Sequence, residues 1–158
     1  MTDENRPLKE FERKQLLERI EREAATVGAS IPAEITIQGN EIELQQFVFE
    51  IRRRETVPPG EHQRVERAKK NLRRERLQRK QRIETGEITR AEADRLVTSI
   101  IGIDRALTEL DSLGPANVEA EATAQETADQ KRWMRFLKQA LGHSDEDTGH
   151  GVSGGSRR

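Results

Sequence analysis

Between Glu61 and Leu113 the chain carries two apolar stripes of helical period with one short interruption, and this pattern dictates the centre of any fold it adopts. From Glu61 to Thr85 nothing breaks a helix; Val65, Ala68, Leu72 and Ile83 share one face, and Gly86 supplies the stop. Thr89-Arg90-Ala91-Glu92 then reads as a capping box, in which the Thr89 hydroxyl and the Glu92 carboxylate satisfy orphan backbone donors of the next helix. Its stripe, Ala93, Leu96, Val97, Ile100, Ile103, Leu107 and Leu110, is closed by Gly114-Pro115. So short a connection folds the second helix back on the first, and residues whose numbers sum to about 175 face one another. Val65 then meets Leu110, and Leu72 meets Ile103.

In that register Asp104 falls on the apolar face of the later helix, opposite an edge carrying Lys69, Arg73 and Arg76. The expectation is an ion pair between Asp104 and one of these three bases, a structural role that fixes the register rather than a catalytic one.

Upstream, Pro7 suits a first helical turn, and Leu16, Leu17, Ile20, Ala24 and Val27 then share one side of a helix that ends near Gly28. After Pro32 the period changes to two. Ile35 and Ile37, then Gly39-Asn40, then Ile42 and Leu44 read as a hairpin with a type II′ turn, which must lay its isoleucines on a helix. Leu44, Phe47, Val48 and Ile51 follow at helical spacing and predict a helix to about Glu55, before Pro58-Pro59-Gly60; Phe49 lies off the stripe and is assigned to cover the hairpin.

Downstream, residues 116–130 are mostly Ala, Glu, Thr and Gln with almost nothing to bury and read as an acidic flexible linker. Trp133, Phe136, Leu137, Ala140 and Leu141 make a short amphipathic helix over 131–142, with Lys131, Arg132, Arg135 and Lys138 around it. Residues 143–158 read as a disordered tail and 1–7 as a flexible N-terminus, which leaves 8–115 as a single helical domain with a hairpin near 34–44. The fold class is mostly α with a small β-hairpin: a long antiparallel helical hairpin packed with two shorter helices. With hydrophobic residues at 32% against 36% charged, the core must be concentrated in these stripes.

Several functions are disfavoured. There is no cysteine, so thiolate chemistry and Cys-based zinc sites are excluded, which suits a reducing cytoplasm. No apolar run approaches a membrane span or a signal peptide. His62, His143 and His150 lack metal-ligand partners at helical spacing, and no glycine-rich phosphate loop is present. The expectation is a cytoplasmic protein that is not an enzyme and needs no cofactor or metal.

The net charge of −1 hides an uneven distribution: residues 52–82 hold 13 basic and 4 acidic residues, against 15 basic and 25 acidic in the rest. Arg64 to Arg82 alone carries ten bases and two acids, so like charges crowd at i, i+3 and i+4. Arg73, Arg74, Arg76, Arg79, Lys80 and Arg82 are the candidate anion or nucleic-acid surface. An acidic protein partner, or neutralisation by neighbouring helices and the chain's own acidic segments, accounts for the same charge; stacking aromatics and nucleic-acid motifs are missing from the segment. Trp133, Phe136 and Leu137 are the candidate partner-binding anchors. Their helix either folds back on the core, docks on another protein or a membrane surface, or swaps between two copies in self-association.

The run from Glu10 to Arg19, the stretch Phe47-Val48-Phe49-Glu50-Ile51 with Arg52 to Pro58, and Leu72-Arg73-Arg74-Glu75-Arg76-Leu77 followed by Gly102-Ile103-Asp104-Arg105-Ala106-Leu107 resemble an uncharacterised haloarchaeal family, a domain of unknown function. The resemblance spans about Leu8 to Leu113 and implies no activity, cofactor or catalytic residue. The near-zero net charge departs from the acidity common in such organisms. A haloarchaeal setting implies multimolar salt, where the Debye length is about 3 Å or less and charge alone binds little. A non-enzymatic protein-interaction or adaptor module is therefore the favoured reading, and a small nucleic-acid-binding protein the alternative.

Overall fold

A computed structural model of the chain describes residues 6–24, 31–37, 39–58, 60–115 and 129–141. Along it run α1 (Glu10–Ala24), β1 (Ile35–Ile37), β2 (Asn40–Ile42), α2 (Leu44–Arg52), α3 (His62–Thr85) and α4 (Arg90–Asp111), followed by α5 over 129–141. The described residues are mostly helical, with one two-stranded antiparallel hairpin.

The α3–α4 hairpin is the spine. The Thr89 hydroxyl accepts from the Glu92 backbone N–H at 3.1 Å, and the Glu92 carboxylate accepts from the Thr89 N–H at 3.3 Å, so the capping box forms as its sequence specifies. Two apolar cores flank the spine. The first joins the hairpin, α2 and α5 to Val65, Ala68 and Leu72 of α3 and to Ile103, Ala106, Leu107 and Leu110 of α4. The second joins Leu16 and Ile20 of α1 to Ile83 of α3 and to Ala93, Val97, Ile100 and Ile101 of α4. Val65 and Leu110 share one core, as do Leu72 and Ile103, in keeping with an antiparallel register.

The structure corrects several boundaries. The strands pair Ile35 with Ile42 and Ile37 with Asn40, so Asn40 lies in β2 and not in the expected Gly39-Asn40 turn. Gly39 has φ 79°, where a side chain would be strained, and the Asn40 amide reaches the Gln139 carbonyl. Leu44 opens α2 instead of ending the strand. α2 stops at Arg52, three residues short of the expected Glu55, because 55–57 are drawn into extended pairing with Gly114: Gly114 N–H donates to Glu55 O at 2.8 Å and Val57 N–H to Gly114 O at 3.0 Å. Phe49 covers nothing on the hairpin; it points away from the inward stripe and is 65% exposed.

At the N-terminus Pro7 precedes α1 instead of opening it, and the segment is tied down: Leu8 N–H donates to Ile88 O and Arg90 N–H to Arg6 O, both at 3.0 Å. Arg6 and Pro7 therefore belong to the folded unit and not to a flexible N-terminus. The expected end of α1 near Gly28 and the tail over 143–158 lie outside the described residues, as does the expected linker, except that its last two residues open α5.

Candidate functional site

Twenty-four residues of α3 carry the basic run, and the packing sorts its cations by face. On the edge that meets α4, each is answered by an acid. Arg76 Nε lies 2.5 Å from Asp104 Oδ1, Lys69 Nζ lies 3.1 Å from both Glu66 and Asp111, and Arg73 approaches Asp111 at 3.9 Å. Arg79 is held by Glu75 at 2.5 Å along its own helix and by the Thr36 carbonyl of β1 at 2.7 Å. Arg82 reaches Glu92 at 3.4 Å. Of the three bases proposed for Asp104, Arg76 is the one in contact.

Electrostatics follow from this packing. Burial pushes the Asp104 carboxyl above its ordinary value even with the Arg76 guanidinium against it, and Asp104 Oδ2 has no hydrogen-bond partner among the described residues. Burial opposes charge on Lys69 as well, but Glu66 and Asp111 outweigh it and hold the ammonium more firmly protonated.

The solvent face of α3 is different. Glu66, Lys70, Arg73, Arg74, Leu77 and Gln81 recur at helical spacing, and all are exposed. Lys70 and Arg74 make no ion pair within 4 Å among the described residues, and Leu77 lies between them and Gln81, 53% exposed. Six candidate bases thus separate by environment: Arg76 and Arg79 are fixed by internal partners, Arg73 and Arg82 are weakly paired and exposed, Arg74 faces solvent, and Lys80 is half-buried.

The candidate anchors Trp133, Phe136 and Leu137 are corrected outright. All three are buried in the first core, with Trp133 and Leu137 at 0% exposure, so they are not offered to a partner. Trp133 packs on Phe47 with ring centroids 6.4 Å apart, and the Arg54 guanidinium lies 4.9 Å over its ring. The helix turns inward because both its ends find partners. At its start, buried Glu50 of α2 accepts from Arg54 and Arg132, both at 2.8 Å, and Asp129 pairs with the same two arginines. Burial works against the Glu50 charge, but the bonds from Arg132 and Arg54 prevail and keep its carboxyl below the ordinary value. At its end, the Asn71 amide donates to the carbonyls of Ala140 and Leu141 at 3.2 and 3.0 Å.

Two features were not singled out from sequence. Glu12 is buried between Arg6, six residues before it, and Arg90, 78 residues after it, a cluster that only the fold brings together. Arg95 of α4 joins Arg79 and Arg82 around a notch of about 420 Å³; a basic residue at helical spacing from Glu92 and Ser99 is the only local signal of it.

A family model described as a family of unknown function (DUF5788) matches residues 8–138, which include every described element but the last three residues of α5. No curated protein and no solved structure matches the chain.

Proposed function

The chain belongs to that family of unknown function, and from the geometry of α3 we propose that it is a non-enzymatic interaction module whose solvent face takes an acidic protein partner. The observation that carries this reading is Leu77, an exposed leucine on a face otherwise made of Glu66, Lys70, Arg73, Arg74 and Gln81, three bases to one acid. A phosphate backbone has no use for an apolar side chain there, whereas an acidic helix with one apolar residue per turn matches both components. The carboxylates of the spine and its flanks support a non-enzymatic role, because Asp104, Glu50 and Glu12 are each engaged in holding elements together.

The setting belongs to the same proposal: a cytoplasmic protein of a salt-loving archaeon, supported by the cysteine-free sequence and by a basic complement of 21 arginines to 7 lysines. At multimolar salt the charges of the face are screened and the Leu77 contact has to supply the persistent part of the affinity.

The test is titration of the full chain with an amphipathic Glu-rich helical peptide and, separately, with duplex DNA and single-stranded RNA, from low salt to multimolar KCl. Peptide binding that weakens on Leu77→Ser at every salt, and on Arg74→Glu mainly at low salt, is expected. Tighter binding of either nucleic acid, insensitive to Leu77→Ser, would favour the nucleic-acid reading instead.

A further inference from the structure

Where β1 crosses the spine, Ile35 and Thr36 of the strand, Arg79 and Arg82 of α3, and Arg95, Leu96 and Ser99 of α4 enclose the notch of about 420 Å³. Its cations are not equivalent. Arg79 is immobilised by Glu75 and the Thr36 carbonyl, which pins the strand to α3 and leaves a fixed positive charge in the wall. Arg82 is 57% exposed at its side chain and touches Glu92 at only 3.4 Å. Arg95 is exposed and has no ion pair within 4 Å among the described residues. The one carboxylate in the lining, Glu92, is already bonded to the Thr89 N–H, so it keeps a partner if Arg82 swings away.

We infer that this notch binds a small organic phosphate, its phosphate gripped by Arg82 and Arg95 and its apolar body seated on Ile35 and Leu96. With Arg79 offset by Glu75, the guanidinium groups of Arg82 and Arg95 face the single carboxylate of Glu92, so the notch keeps a net positive charge, the sign a phosphate monoester requires. Planar guanidinium forks from two different helices suit bidentate contact with a tetrahedral anion. An adjoining cavity of about 380 Å³ shares Ile35, Arg95 and Ser99 with the notch; its lining adds Glu34 and Asp94, the latter paired with Arg90, so it has room for an uncharged body of the ligand and not for its phosphate. The site is separate from the face proposed for a protein partner, because Lys70, Arg74 and Leu77 take no part in its lining.

The experiment is calorimetric titration of the full chain with phenyl phosphate, inorganic phosphate, benzoate and a phosphoserine peptide at low salt. Phenyl phosphate is expected to saturate the protein and to bind more tightly than the other three. Arg82→Gln and Arg95→Gln should each weaken it about tenfold, the loss of a charge-assisted contact, while Arg74→Gln leaves it unchanged. Both targeted arginines are exposed, so circular dichroism should show the fold intact in each variant. The inference is overturned by a lack of saturation, by equal affinity for benzoate, by an equal loss on Arg74→Gln, or by tighter binding of the phosphopeptide.

Discussion

Glu12, buried, and Asp104, partly buried, are carboxylates of opposite character. Arg6 donates to both oxygens of Glu12, at 2.7 and 2.5 Å, and the Lys9 N–H at 3.0 Å and Arg90 at 2.8 Å complete its shell. These bonds, those from Arg6 foremost, hold its carboxyl far below the ordinary value. A depressed folded value contributes stability above the unfolded value of about 4.3 that is lost as pH falls through the folded one. Glu12→Gln is therefore expected to melt at lower temperature than the parent at neutral pH, with the gap closing below about pH 4. Asp104 has the reverse sign: burial raises it, so the folded state holds the proton longer and stability declines as pH rises from the unfolded value through the folded one. Relative to Asp104→Asn, the parent should lose ground in denaturant melts as pH rises above about 4; a parent that gains ground would mean that Arg76 dominates. Gly102 is constrained by shape. A Cβ there would lie 2.6 Å from Leu44 Cδ2 and 2.8 Å from Pro32 Cδ, so Gly102→Ala should destabilise by about 1–3 kcal/mol, against the usual helical preference for alanine.

Among the elements, α5 is the one whose role changes most between pattern and packing. Trp133, Phe136, Leu137, Ala140 and Leu141 complete the first core beside Phe47, Ile51 and Leu72. Trp133→Ala should lower stability by about 3–5 kcal/mol, read by chemical denaturation. A chain ended at residue 115 would bare that core and strand Glu50 with one arginine fewer, so it should lose cooperative melting while keeping much of its helical dichroism. A sharp, unshifted transition in the shortened chain would show that α5 is dispensable.

For the molecule as a whole, the spine threads both cores, so neither core is an independent unit. α3 contributes Val65, Ala68 and Leu72 to one and Ile83 to the other, and α4 contributes to both in the same way. Trp133, the sole tryptophan, reports on the first core alone, whereas far-ultraviolet dichroism reports on all the helices. Ile20→Ala, placed in the second core, should shift the fluorescence and dichroism midpoints down together, by the equivalent of about 2–5 kcal/mol. A fluorescence transition left in place while the dichroism splits would show two separable cores.

Local chemistry is what the sequence by itself determined. The period of its apolar residues set which stretches are helix and which strand, the Thr89–Glu92 capping box set where α4 begins, and the short connection at 86–88 set the antiparallel course of the spine. These depend on neighbours within a few residues or on chain connectivity, which a linear pattern contains. Tertiary structure decided the rest, because it turns on what arrives from a distance. Charge counting shows ten bases over Arg64 to Arg82, but Asp104, Asp111 and Glu92 select which of them are neutralised and leave Lys70 and Arg74 facing water. An amphipathic stripe such as that of α5 looks the same whether it faces a partner or its own domain; Glu50, Arg54 and Asn71, some 60 to 80 positions upstream, turn it inward. Arg95 reads as an ordinary surface base until β1 and the end of α3 are folded beside it, since a notch has walls only once three elements meet.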